Sequence, residues 1–195
     1  MDTTGLSPGV YSAIIFVQSN SGRQSTILDP GPADRPRLPA GCERGRQRLH
    51  HHSGDTWARD KAFTPGSWGY VGKTSTTNKN HPIAATDDDP LYQDYRSGSV
   101  VNYRFTVPNG TYQLELRFAE LKAVDPNDRI FDVVVEGQLA IPALDIADEV
   151  GDFTADDHTV VVEVTDGVLN VRIIARQGFM TPILNGLRAT DRPDL

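Results

Sequence analysis

Three kinds of side chain in this sequence could do chemistry. The carboxylates Asp87, Asp88 and Asp89 are consecutive, and Ca²⁺ is held by several carboxylate oxygens at once. The run lacks the alternating spacing, closing Gly and distal Glu of a calcium loop, so its expected role is to cap a turn through Asp side chains. Glu115 and Glu120 offer the paired carboxylates of a glycosidase. Glu115, however, falls on the polar face of an alternating strand, where an exposed charge belongs. No Ser-His-Asp set, phosphate loop or nucleophilic Cys is arguable, so no catalytic residue is expected. His50, His51 and His52 invite a metal reading, but adjacent residues of an extended chain do not converge on one ion, and neither a metal nor a cofactor is expected. Aromatic rings are the third kind, because sugar C–H faces stack on flat rings. Tyr92 and Tyr103 stand in apolar strand context and read as core. Trp68, Tyr70 and Tyr95 stand among Gly, Ser and Arg and read as loop residues. Those three are the candidate stacking groups.

Strands must position them. Tyr112, Leu114, Leu116 and Phe118 alternate with Gln113, Glu115 and Arg117, which puts one face in a core and one in water. Residues 100–107 and 111–120 read as a hairpin around Pro108-Asn109-Gly110. Residues 130–135 pair with 138–141 around Glu136-Gly137, and 158–164 with 168–174 around Asp166-Gly167. Pro182 to Ala189 supplies a last strand. Asp145 to Val150 has room for one helical turn. Many short strands with close-spaced turns predict an all-β chain, a β-sandwich.

Bulk properties narrow the classes. The formal net charge of −7 over 195 residues argues against nucleic acid, which needs a basic face. No apolar run has the length of a membrane span. The N-terminus, Met1 to Gly5, lacks the pattern of a signal peptide. One cysteine, Cys42, excludes an internal disulfide and a Cys-based zinc site.

The first residues read as part of something else. Val10 to Val17 is rich in strand formers, Asn20-Ser21-Gly22 is a turn, and Gln24 to Ile27 starts a second strand. Such a hairpin buries no core alone, so residues 1–28 are expected to be the C-terminal hairpin of a truncated immunoglobulin-like domain. Residues 29–52 hold four prolines, five arginines, Cys42 and three histidines without a period of 2 or 3.6. They read as irregular, in the plainest case a linker.

An ordered series of short words carries more. Thr86-Asp87-Asp88-Asp89-Pro90-Leu91-Tyr92-Gln93 is followed by Pro108-Asn109-Gly110-Thr111-Tyr112, Leu116-Arg117-Phe118-Ala119-Glu120 and Ile130-Phe131-Asp132-Val133. The series resembles the malectin family of lectin-like β-sandwiches, related to galactose-binding-like jelly rolls. The resemblance runs from about residue 53 to 189. It assigns 53–190 to a malectin-like domain and 191–195 to a tail. Trp57, within the family word Gly54-Asp55-Thr56-Trp57, is then expected under the first strands, and Glu120 to hydrogen-bond a neighbouring loop. Family members open with a strand resembling Val-Asn-Ala-Gly-Gly followed by Tyr, which is missing here. A permitted codon choice for Leu38 to His52, read from its second base, encodes Tyr-Arg-Gln-Ala-Val-Asn-Ala-Gly-Gly-Ser-Ala-Tyr-Thr-Thr. Residues 29–52 therefore read alternatively as a frameshifted version of that strand. On this reading the sandwich has a bare edge and a gap beside Trp57.

In animal members the sugar is gripped by tyrosines of early loops, an aromatic pair after the Phe-Ala-Glu word and an aspartate near the last strand. Here Val71-Gly72 is followed by no aromatic, Tyr95 is displaced by two positions from the second tyrosine, the pair aligns with Lys122-Ala123, and the aspartate aligns near Met180-Thr181. The resemblance thus implies the scaffold without diglucose specificity. It implies a non-catalytic carbohydrate-binding module of a larger bacterial protein, secreted or at the cell surface, with a polysaccharide or glycan and covalently linked neighbouring domains as partners. Trp68, Tyr70 and Tyr95 would stack, and Arg96 and Lys122 would bond hydroxyls. The alternative is a protein-interaction or spacer module without sugar affinity.

Overall fold

The computed structural model describes residues 13–16 and 57–195. The central strand shows how the pattern becomes a fold. Along Gly110–Phe118, Tyr112, Leu114, Leu116 and Phe118 are buried while Gln113, Glu115 and Arg117 are half-buried on the other face. Facing strands supply the opposite wall in the same way.

In chain order the elements are β1 (Ala13–Phe16), β2 (Ala58–Arg59), β3 (Trp68–Val71), β4 (Ser75–Asn78), α1 (Asp89–Tyr92), β5 (Asp94–Ser97), β6 (Val100–Thr106) and β7 (Gly110–Phe118). There follow β8 (Phe131–Val135), β9 (Gln138–Leu144), α2 (Ile146–Glu149), β10 (Asp156–Val164), β11 (Val168–Ala175), β12 (Ile183–Leu184) and β13 (Gly186–Asp191). Two five-stranded sheets, ordered β10-β7-β13-β1-β2 and β3-β6-β11-β8-β9, enclose one core, and a small sheet β12-β5-β4 closes one end. Phe118 of one sheet meets Phe131 of the other with ring centroids 5.6 Å apart. The core also takes Tyr103, Phe105, Leu169, Val171, Ile173 and Leu187. The chain is an all-β sandwich, as its pattern predicts, and Tyr92, Tyr103 and Trp57 are buried as expected.

Two expected hairpins are corrected. β6 pairs with β3 and β11, while β7 pairs with β10 and β13. The turn at Pro108-Asn109-Gly110 is therefore an arch between sheets, and so is the one at Asp166-Gly167 between β10 and β11. The two arches bond each other: Val107 N–H donates to Gly167 O at 3.1 Å, and Asn109 Nδ2 to Thr165 O at 2.8 Å. Pro108 has no N–H for the closing pair of a two-residue hairpin, and its carbonyl accepts from Tyr112 Oη at 3.0 Å instead. Glu136-Gly137 does form the expected hairpin of β8 and β9, with φ of 48° and 76°, the two left-handed residues of a type I′ turn.

The family word around Asp87 begins a one-turn helix, α1, and not a strand. Pro90 stands in its first turn, where a missing N–H costs nothing. Thr86 Oγ1 accepts from Asp88 N at 3.0 Å, and Asp89 Oδ1 from Ile83 N at 3.1 Å. Asp89 thus bonds the backbone of the preceding loop, whereas Asp88, at the N-cap of α1, makes no side-chain cap bond, so the expected capping by this run is met only in part. The predicted last strand is split at Asn185, which is fully buried: its Oδ1 accepts from Ala119 N and its Nδ2 donates to Tyr92 O and Asp94 O.

β1 pairs antiparallel with β13 and parallel with β2. It is bonded into the main sheet, between β13 and β2. The second strand of the expected N-terminal hairpin, the out-of-frame reading of residues 29–52, Cys42 and His50 to His52 lie outside the described residues.

Candidate functional site

The small sheet and four loops meet at one end of the sandwich. Residues 79–88, 121–129, 150–155 and 176–182 form these loops. A buried ion pair ties two of them together. Glu120, at the end of β7, is fully buried and accepts from Arg129 Nε at 2.5 Å and from Nη2 at 3.3 Å. Arg129, 2% exposed, also donates to the Thr181 carbonyl. Burial pushes the Glu120 carboxyl above its usual range, and Arg129 opposes this. Glu120 is thus a loop anchor, the role expected for it. Backbone bonds extend the tie: Phe153 N donates to Glu120 O at 2.8 Å, and Met180 N to Asp128 O at 2.9 Å.

Three non-glycine residues in these loops, Ala85, Asn127 and Phe153, have left-handed φ of 60°, 72° and 51°. Such strain persists only where surroundings enforce it, and it concentrates at functional loops. Asn127 is held by its N–H donating to Asp145 Oδ2 at 2.6 Å, while Asp145 Oδ1 caps α2 at Asp148 N. On the rim, the exposed His81 ring stacks on Phe153 at 4.0 Å, and Phe179 is 37% exposed. Lys122 is exposed beside Ala123.

Of the predicted site residues, only Lys122 lies open on this rim. Tyr95 and Arg96 belong to β5 and are 8% and 6% exposed. The expectation that Trp68, Tyr70 and Tyr95 are loop residues is corrected: all three are in strands. Polar neighbours mask β5 in the sequence because Asp94, Arg96 and Ser97 are all buried with partners. Arg96 Nε and Nη2 pair with Asp60, Nη1 donates to Thr74 Oγ1 at 2.5 Å, and the guanidinium lies 3.6 Å from the centre of the Tyr70 ring. Tyr70 is therefore half-buried beneath Arg96. Trp68 stacks on Phe105 at 6.3 Å, with Lys61 Nζ 4.6 Å from its ring. Burial raises the Asp60 carboxyl to about 6 against the pull of Arg96. His81, Phe153 and Phe179 went unpredicted. Each stands in a loop with no alternation to read, although an aromatic among polar loop residues was the signal available.

A concavity of about 250 Å³ lies on the outer face of β3, β6 and β11. There Arg172 stands opposite Asn102, and Arg104 opposite Asn170.

The Malectin domain family profile matches residues 41–193. Malectin of Mus musculus is 34% identical over 109 residues, 53% of this chain and 37% of that protein; Malectin-A of Xenopus laevis is 33% identical over 109 residues, 53% of this chain and 39% of that protein. The chain therefore spans less than half the length of these relatives. Among solved structures, a Bacteroides uniformis β-glucuronidase superposes with a TM-score of 0.66 at 27% identity, covering 73% of this chain and 16% of that one. The ANX1 ectodomain from Arabidopsis thaliana shares the fold, with a TM-score of 0.59 at 20% identity over 71% of this chain and 42% of that one. A profile match over most of its length, on the sandwich just described, makes this chain a member of the Malectin domain family.

Proposed function

We propose that the chain is a non-catalytic carbohydrate-binding module of a larger, surface-exposed or secreted protein. The rim of loops carries this reading. It offers Phe179 and the stacked His81–Phe153 pair to sugar C–H faces and Lys122 to hydroxyls, on loops held in strained shapes by Glu120, Arg129 and Asp145. Protein pre-organised in this way pays less ordering entropy when it binds. The buried carboxylates Glu120 and Asp60 are both engaged by arginine, which supports binding over acid catalysis. Family membership supports the same class of ligand. The neighbouring glucuronidase, in which the matched region is a small share of the chain, supports a module attached to other domains.

A glycan array with the full chain, followed by titration calorimetry of the best hit, tests the proposal. Phe179→Ala and Lys122→Ala are expected to weaken binding about three- to tenfold each, the loss of one stacking or polar contact, with the thermal transition unchanged. Binding to no glycan by a folded chain would favour the spacer or protein-interaction role. Binding abolished by Arg104→Ala and Arg172→Ala, but not by the rim variants, would move the site to the outer sheet face.

A further inference from the structure

The edge strand β10 points Asp156 and His158 to the same inward side, two residues apart, and α2 ends beside them at Glu149. His158 Nε2 lies 3.0 Å from Asp156 Oδ1 and 3.8 Å from Glu149 Oε2, and one donor atom from each residue falls within 4.8 Å of the others. The Asp156 side chain is only 8% exposed. Its Oδ2 is buried with no hydrogen-bond partner, while its Oδ1 faces His158 Nε2 at 3.0 Å. The buried Oδ2 bears a desolvation cost that no hydrogen bond among the described residues returns. Phe118 packs against the imidazole at 5.9 Å, edge to face. Asp145, Asp148 and Asp157 add further negative potential around the cluster.

We propose that Glu149, Asp156 and His158 bind a divalent cation of borderline softness, with Zn²⁺ the best fit. Ligands placed about 2.0–2.2 Å from a tetrahedral zinc stand roughly 3.3–3.5 Å apart, and the two separations from His158 Nε2, 3.0 Å to Asp156 and 3.8 Å to Glu149, bracket that value. A mixed nitrogen and oxygen set suits zinc, whereas Ca²⁺ and Mg²⁺ prefer oxygen alone. Three protein ligands leave the fourth position to water, on the side where Glu149 is 47% exposed. Bound there, the ion clamps edge strand β10 to α2. The cap of α2, Asp145, also holds Asn127 of the rim, so the clamp braces one of the loops of the candidate site. This inference stands apart from sugar binding.

Calorimetric titration of the full chain with Zn²⁺, and separately with Ca²⁺, tests it after chelator treatment. To keep the histidine tract out of the readout, every protein carries His50→Ala, His51→Ala and His52→Ala. One Zn²⁺ per chain is expected, with a raised melting temperature. His158→Ala should abolish that site, and Glu149→Gln, on the exposed end of α2, should weaken it by about tenfold or more while leaving the metal-free fold intact. If His158→Ala fails to fold, Glu149→Gln decides. No Zn²⁺ binding, Ca²⁺ binding in preference to Zn²⁺, or unchanged binding in the Glu149 variant would overturn the proposal.

Discussion

The side chains that matter most to this end of the sandwich are charged, and they are buried. Glu120 and Arg129 are 0% and 2% exposed. An ion taken out of water at that depth is tolerated only with its partner in place. Arg129→Ala leaves the Glu120 carboxylate alone and is expected to cost about 3–5 kcal/mol in denaturant unfolding, with loops 121–129 and 176–182 loosened in hydrogen exchange. Retained stability in that variant would refute the anchoring role. Asp60 makes a different prediction. Its folded pKa is raised from 3.8 to about 6, so between those values the folded state binds the extra proton. The corresponding stability is fully present below pH 3.8 and is lost as pH rises through about 6. The stability advantage of the wild type over Asp60→Asn should therefore shrink as pH rises across this window. An advantage that grows with pH would contradict the burial argument.

Strands, more than side chains, were legible in the sequence. Alternation from Tyr112 to Phe118 reveals β7 because one face is apolar and the other polar. The Glu136-Gly137 hairpin is legible because a type I′ turn needs two left-handed residues in succession. Pairing partners were not legible. The arches at Pro108 and Gly167 look like hairpin turns locally, and only the bonds between them show that the chain changes sheet. β5 was hidden for another reason: Asp94, Arg96 and Ser97 are buried by partners distant in sequence, Asn185 and Asp60 among them. A close approach of chain segments was equally invisible. At Gly69, with φ of 151°, a Cβ would lie 2.4 Å from the Lys61 carbonyl oxygen and 2.6 Å from backbone atoms of Ala62 and Phe63. Backbone cannot swing away as a side chain can, so Gly69→Ala is expected to destabilise by at least about 1–3 kcal/mol. A thermal transition equal to that of the wild type would show that this crossing is absent.

For the molecule as a whole, two sheets provide a rigid body and one end carries the irregular chain, the usual division between scaffold and function. The family words sit almost entirely in the scaffold: β7, β8, α1 and the Pro108 arch. That is why they announce the family while naming no sugar. The net charge of −7 predicts that a neutral glycan binds with little salt dependence, whereas an acidic glycan would need the Arg104 and Arg172 face. Measuring the affinity of the best array hit across ionic strength separates the two: a flat response is expected, and a steep loss of affinity with added salt would favour the arginine face. The most direct test of the rim is amide chemical-shift mapping of the isotope-labelled chain during titration with that glycan. Shifts confined to residues 79–88, 121–129, 150–155 and 176–182 are the predicted result. Shifts centred on Asn102, Arg104, Asn170 and Arg172, or none at any glycan concentration, would contradict the account.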